Sequence, residues 1–374
     1  MSVYQSLGVR PVINARATLT RLGGSVMPPE VLLAMAEAAA SFIDLDDLQC
    51  RVGERLAQLT GNQAAYVSSG AAAGLLLAAA ACITGKDPSL VQKFPELSGL
   101  KDEFIIQRTQ RNGYDYSLRQ IGAKIVEIGS ESGTTPADFQ QAITARTAGF
   151  FWFQGAMTRP TDLPLPEVIA IARAHAIPVV VDAAAQLPPV SNLWNFTQLG
   201  ADLAIFSGGK DLRGPQASGL VLGRRDLIEA CQMHGNPNHS IGRPMKVGKE
   251  EMVGLLAAVE RYLKLDHAAR EAYCETTVAN WCVAFNGVPG LSAQRSFPNE
   301  AQQPLPRCHV TVEAEYLGLN RDQVVARLAG GAPAVIVEPV GIHGIYLNPM
   351  TLEPGQEAIV QSRLLEIIAA QPAS

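Results

Sequence analysis

Lys210 lies in the run Phe206-Ser207-Gly208-Gly209-Lys210-Asp211-Leu212-Arg213-Gly214-Pro215, between two apolar stretches, Leu203–Phe206 and Gly219–Leu222. About 28 residues earlier, Ile177-Pro178-Val179-Val180-Val181-Asp182 ends another apolar stretch in a carboxylate. A lone lysine in a loop reads as a surface residue; the glycine turn, the buried flanks and the earlier acid change that. An amine so placed can form a Schiff base with an aldehyde, and a buried aspartate can keep a pyridine nitrogen protonated so that the ring accepts electrons. Lys210 and Asp182 are therefore the candidate catalytic pair of a pyridoxal 5'-phosphate enzyme.

Such a cofactor also needs a phosphate cup. Tyr66-Val67-Ser68-Ser69-Gly70-Ala71-Ala72-Ala73-Gly74 reads as a strand, a tight turn and a helix start. Small residues there let backbone N–H groups and the positive end of the helix meet an anion, although small residues also serve plain helix–sheet packing. Ser69, Gly70, Ala71 and Ala72 form the expected cup, and Ser207, three residues before the lysine, is placed to add a hydroxyl. Gln186, one helical turn past Asp182, could reach the ring hydroxyl or simply cap the chain locally. Gln154, after the apolar run Gly149–Phe153, joins the cofactor-binding candidates.

These residues need a scaffold. Strand-like runs at Ala64–Val67, Phe104–Gln107, Lys124–Ile128, Gly149–Phe153, Val179–Asp182, Leu203–Phe206 and Gly219–Leu222 alternate with helical patterns at Ala71–Thr84, Tyr116–Ile121, Pro136–Ala142, Pro164–His175 and Asp226–Met233. Continuous apolar strands are those buried on both faces, which predicts an α/β fold: a mainly parallel sheet with helices on both faces. Ligands bind such sheets at the carboxyl ends of the strands, where Asp182 and Lys210 fall. The expected organisation is an N-terminal arm and helices over 1–60, a large cofactor-binding domain over 61–248, a linker helix over 249–270, and a small C-terminal α+β domain over 271–374. In that last part, strands are expected at Cys308–Val312, Ala334–Val337 and Gly344–Leu347, with helices at Arg321–Leu328 and Glu357–Ala369.

The chain has 374 residues, is 47% hydrophobic, and carries a formal net charge of −5. No basic block offers a footprint for nucleic acid. The six cysteines form no CxxC pair and no metal-ligand spacing, so no metal is expected and a reduced compartment is. No stretch is long and apolar enough to span a bilayer, and the first residues lack a signal-peptide pattern. The expectation is a cytoplasmic protein with no membrane or nucleic-acid partner.

Ser68-Ser69-Gly70-Ala71, Asp182 and Ser207-x-x-Lys210 together resemble the fold type I PLP-dependent transferase group of the aminotransferase class V kind. Three stretches narrow this: Leu7–Asn14, Ser207–Gln216 and Ile241–Glu251 resemble the bacterial selenocysteine synthase-like (L-seryl-tRNA(Sec) selenium transferase-like) family, which includes D-glucosaminate-6-phosphate ammonia-lyase. The resemblance covers most of the chain and implies cofactor and fold rather than substrate. Selenocysteine synthases carry an extra N-terminal tRNA domain, whereas here the shared motif starts at Leu7, which with the acidic balance argues against a tRNA substrate. Cysteine desulfurase relatives have a threonine and a histidine where this chain has Ala72 and Gly209, and a catalytic cysteine with no clear counterpart. The group usually stacks a ring on the cofactor; the matching stretch here has none, leaving Gln110 or Arg111 to cover it.

An anionic amino-acid-like substrate calls for arginine, whose fork binds a carboxylate bidentately. Arg16, Arg21, Arg243 and Arg307 stand in glycine- or proline-flanked contexts suited to pocket loops or to surface ion pairs, and Arg243 and Lys246, with His239 and Ser240, form a second polar cluster. The fold usually keeps its carboxylate clamp where Arg307 falls, and in related folds the segment of Arg243 and Lys246 reaches the neighbouring subunit's site, which implies a homodimer or larger homo-oligomer. The residues alone allow elimination, transamination, racemisation or aldol cleavage. The resemblance favours a lyase that abstracts an α-proton, eliminates a β-substituent and releases ammonia and a 2-keto acid, with selenium or sulfur transfer and a non-catalytic cofactor-binding regulator as alternatives.

Overall fold

The computed structural model describes residues 3–370. In chain order the strands among them are β1 (Val12–Asn14), β2 (Ala64–Ser68), β3 (Glu103–Gln107), β4 (Lys124–Ile128), β5 (Thr147–Phe153), β6 (Val179–Asp182), β7 (Leu203–Ser207), β8 (Gly219–Gly223), β9 (Leu291–Ser296), β10 (Arg307–Val312), β11 (Ala334–Ile336), β12 (Glu338–Val340) and β13 (Gly344–Leu347). The chain divides into two compact units: one runs Met27–Leu265, and the other joins residues up to Val26 with those from Asp266 on.

The larger unit is built on a seven-stranded sheet of order β2-β8-β7-β6-β5-β3-β4. Strands β7, β6, β5, β3 and β4 are parallel, while β8 runs antiparallel to both β2 and β7. Alternate residues feed two apolar layers: Ile105, Phe150, Val181 and Phe206 pack on one face, Phe104, Phe151, Val180 and Ile205 on the other. Helices Leu45–Thr60, Leu165–Ala174, Asn192–Leu199 and Lys249–Tyr262 cover the first face, and Ala71–Thr84 and Arg225–His234 the second. Burial on both faces is why these strands lack polar alternation. The result is the α/β architecture expected from the sequence. Residues 27–60 and 249–265, set apart in the sequence reading, lie in the same compact unit as this sheet.

The smaller unit holds an antiparallel sheet of order β12-β13-β10-β9 and a parallel pair of β1 with β11. Helices His267–Asn286, Arg321–Gly330 and Gln356–Ala369 pack on one face of it, around Cys308, Val310, Val312, Ile345 and Leu347. The linker helix expected over 249–270 is instead two helices. The first ends at Tyr262, and the Asp266 carboxylate accepts the Ala269 N–H at 2.9 Å to start the second, which runs to Asn286. An aspartate that satisfies an open N–H makes a helix start of what the periodicity reads as continuation.

Candidate active site

Asp182 is the last residue of β6 and Lys210 lies in the turn just after the adjacent parallel strand β7. The turn is fixed by its own backbone: Gly208 N–H donates to the Ser218 carbonyl at 2.9 Å, Gly214 N–H to Gly208 at 2.8 Å, and Arg213 N–H to Lys210 at 2.9 Å. Glycine is required at Gly208, since a Cβ there would sit 2.0 Å from the Ser218 hydroxyl oxygen and 2.8 Å from Leu255. The next residue after the lysine, Asp211, is buried and accepts the Tyr262 hydroxyl at 2.7 Å, which ties the turn to helix Lys249–Tyr262.

Asp182 is 8% exposed, and its Oδ1 accepts the Ala184 N–H at 2.9 Å. Burial pushes its carboxyl above the usual carboxylate range, while the Ala184 N–H and the charge of Lys210 pull the other way. A buried carboxylate favours a cation beside it.

Strand β2 ends at Ser68, beside Gly219 at the start of β8. Gly70 then turns at φ +100°, and its missing side chain would meet nothing within 4 Å. It precedes helix Ala71–Thr84, whose N-terminus no side chain caps. Gly219 has the opposite reason to be glycine: a Cβ there would stand 2.4 Å from the Gly70 carbonyl carbon. Ser69, Gly70 and Ala71 are partly exposed and Ala72 is exposed, so an uncapped 14-residue helix opens onto free space. Ser207 closes β7 and is half-buried.

Gln186 is buried and donates to the Gln154 carbonyl at 3.4 Å; the Gln154 side-chain oxygen accepts the Trp152 indole N–H at 2.7 Å. The two candidates for covering the ring are both hydrogen-bonded to the protein. Gln110 is fully buried, its amide donating to Asp162 at 3.2 Å and its oxygen accepting the Phe153 N–H at 3.1 Å. Arg111 is paired with Asp115 at 2.6 Å and with Glu127. Both side chains are thereby fixed to the protein frame by hydrogen bonds, which the sequence alone does not reveal.

In the smaller unit, Arg307 opens β10 and is 8% exposed. Its side chain shares the non-core face of the sheet with His309, because Cys308 and Val310 point into the core. One terminal nitrogen, Nη1, pairs with Glu300 at 3.2 Å, the guanidinium lies 3.8 Å over the Tyr346 ring, and the buried Nε has no hydrogen-bond partner. Glu300 is held in turn by the Asn348 amide, at 3.2 and 3.4 Å. Arg16 pairs with Glu338 on β12. The sequence reading missed Glu300, Asn348 and Tyr346. A usable signal was the alternation Arg307-Cys308-His309-Val310-Thr311-Val312, which sets a polar face against an apolar one.

Arg243 and Lys246 lie exposed in the loop between helices Arg225–His234 and Lys249–Tyr262. Arg243 donates to the Asn236 side chain at 3.1 Å. The acids that could have paired with it are used otherwise: Glu251 accepts the Gly248 N–H at 3.0 Å, and Glu250 lies 3.7 Å from Lys249. His234 ends a helix and is fully buried, 2.7 Å from the Thr84 hydroxyl. Among the described residues no cluster of His, Cys, Asp and Glu could hold a metal ion, and no helix is long and apolar enough to cross a membrane.

A mainly parallel α/β sheet with an acid and a lysine at adjacent strand ends places the chain in the fold type I class. It belongs to the SelA family, described as L-seryl-tRNA selenium transferase, which it matches over residues 12–277. It is 34% identical to D-glucosaminate-6-phosphate ammonia lyase of Salmonella typhimurium over 98% of each chain. A solved structure of a D-glucosaminate-6-phosphate ammonia-lyase superposes with a TM-score of 0.87 at 33% identity, covering 99% of both chains. The chain is also 33% identical to a 5'-C-glycyluridine monooxygenase-decarboxylase from Streptomyces, over 98% of this chain and 92% of the other. The cysteine desulfurase CsdA of Escherichia coli, 18% identical with a TM-score of 0.55 over 92% of each chain, shares the fold.

Proposed function

We propose that the protein is a pyridoxal phosphate-dependent lyase that acts on an anionic amino sugar acid or amino acid and releases ammonia and a 2-keto acid. The observation that carries this reading is the pairing of Lys210 with a buried Asp182 at adjacent strand ends. Full-length similarity to an ammonia lyase supports the outcome of the reaction.

The residues fit the cofactor's chemistry. The uncapped helix start at Gly70–Ala72, with open space where Gly70 lacks a side chain, suits a phosphate dianion. The Asp182 carboxyl, whose pKa burial pushes up and the Ala184 N–H and the charge of Lys210 pull down, suits a protonated ring nitrogen as its charged partner. When bound, the cofactor supplies an aldehyde that captures the substrate amine and a ring that draws electrons from the α-carbon. With the cofactor bound, Lys210 would hold it and its Nζ would then accept the substrate α-proton. Asp182 would favour a proton on the ring nitrogen. Arg307 supports a role as carboxylate clamp: Glu300 engages Nη1, leaving the Nε edge to form a two-pronged contact. Arg243 and Lys246, cations without a carboxylate partner among the described residues, suit a second acidic group such as a phosphate, and Arg16 stays a further substrate-binding candidate.

A small-molecule substrate is favoured over tRNA because the chain carries a net charge of −5 and no basic block. A homo-oligomer is supported by the apolar surface of helix Pro29–Ala39 and the residues after it, where Leu32, Leu33, Phe42 and Ile43 are exposed. The test is to incubate the cofactor-loaded protein with D-glucosaminate 6-phosphate and assay ammonia and 2-keto acid. Release of both in equal amounts supports the reading. Decarboxylation, transamination or no reaction across a panel of free and phosphorylated amino acids and amino sugar acids would overturn it.

A further inference from the structure

The pairing of Arg307 with Glu300 poses a problem that the proposed clamp does not solve. A clamp for a substrate carboxylate already holds a carboxylate of its own protein. Glu300 sits in the loop between β9 and β10, one oxygen 3.2 Å from Arg307 Nη1 and both oxygens within 3.4 Å of the Asn348 amide. Asn348 is itself immobilised: it is 1% exposed, its N–H donates to the Ala15 carbonyl at 2.8 Å, and its side-chain oxygen accepts the Met350 N–H at 3.0 Å. Arg307 cannot swing away from Glu300 without leaving the Tyr346 ring beneath it.

We propose that Glu300 is a stand-in carboxylate, which balances Arg307 while the clamp is empty and takes up a proton when a substrate carboxylate binds. This rests on the reading of Arg307 as the clamp. The charges around the pair make the coupling necessary. Arg307 is the cation in contact with Glu300, and Glu338, itself paired with Arg16, acts on it unfavourably. His309, on the same sheet face, adds no cation, since burial and Arg307 both push its pKa below the ordinary histidine value. An incoming carboxylate would bring a further negative charge to Arg307 beside Glu300. Like charges sharing one cation raise one another's affinity for a proton. Glu300 is the acid prepared for it: burial pushes its carboxyl above the usual range, against the pull of its own backbone amide, Arg307 and Asn348. Once neutral, its carbonyl can still accept from Asn348 and Arg307, so the clamp keeps its shape. By linkage, carboxylate binding must then weaken as pH rises.

The test uses the cofactor-loaded protein and 6-phosphogluconate, which offers the carboxylate but no amine to displace Lys210. Calorimetric titrations in two buffers of different ionisation enthalpy, between pH 6.5 and 8.5, give Kd and protons taken up. For the wild type, Kd should rise severalfold over this range relative to Glu300→Gln, an isosteric variant that keeps the Arg307 contact. The variant should bind severalfold tighter at pH 8.5 and take up fewer protons, with the ligand phosphate titrating alike in both. Weaker binding by Glu300→Gln, or an unchanged proton count, would overturn the proposal and make Glu300 a simple positioning residue. A Kd unchanged by Arg307→Lys would instead overturn the clamp reading on which it rests.

Discussion

Asp182 and Lys210 are brought together by neighbouring parallel strands: Asp182 pairs in register with Ile205 of β7, and the lysine follows in the turn that β7 enters. The charge of the lysine partly offsets the burial of the acid. Whatever replaces the lysine as the acid's cationic partner must be equally close to a strand end.

Asp182→Asn should keep part of the cofactor but lose turnover. A neutral amide does not hold the ring nitrogen protonated, and preorganised electrostatics of this kind are worth roughly 3–4 kcal/mol, about 100-fold to 1000-fold in kcat. Steady-state kinetics alongside the absorbance of bound cofactor separate the two effects. A variant within tenfold of wild-type kcat would show that the ring's charge is unimportant here.

Arg307→Lys and Arg243→Lys should raise KM by roughly 10-fold to 100-fold, the range expected when charged hydrogen bonds of about 1.5–3 kcal/mol are lost. Little change in melting temperature is expected for Arg243, which is exposed. Equal losses of stability and activity in both variants would make the arginines structural, and unchanged KM values would remove them from the substrate site.

The buried His234 gives the fold an acid limit. Burial lowers its pKa from 6.5 to about 4. Both states are neutral above pH 6.5, so this group costs nothing there. As pH falls from 6.5 to 4 the unfolded chain gains a proton that the folded chain refuses, and stability drops by up to about 3 kcal/mol. His234→Gln should therefore show a flatter dependence of melting temperature on pH between 7 and 4.5. Parallel curves for variant and wild type would assign the acid sensitivity to other groups.

The sheet was legible because most of its strands are short apolar runs flanked by turn residues, and Asp182 and Lys210 are marked by their place at the ends of such runs. The strands β9, Leu-Ser-Ala-Gln-Arg-Ser, and β12, Glu-Pro-Val, were not legible. Both are edge strands of the small sheet, where half-exposed polar residues and proline are tolerated. Strand β1 escaped for another reason: three residues gain their stability from a partner over 300 positions away, β11. The neighbours of Arg307 share that character. Glu300, Asn348 and Tyr346 come from separate loops and strands, and only tertiary pairing makes one site of them.

In the proposed mechanism Lys210 carries the cofactor. Borohydride reduction of the yellow protein, followed by proteolysis and mass mapping, should fix the pyridoxyl group on the peptide containing Ser207-Gly208-Gly209-Lys210, and Lys210→Ala should leave no fixed cofactor. Label on any other lysine, or undiminished labelling of Lys210→Ala, would contradict the account.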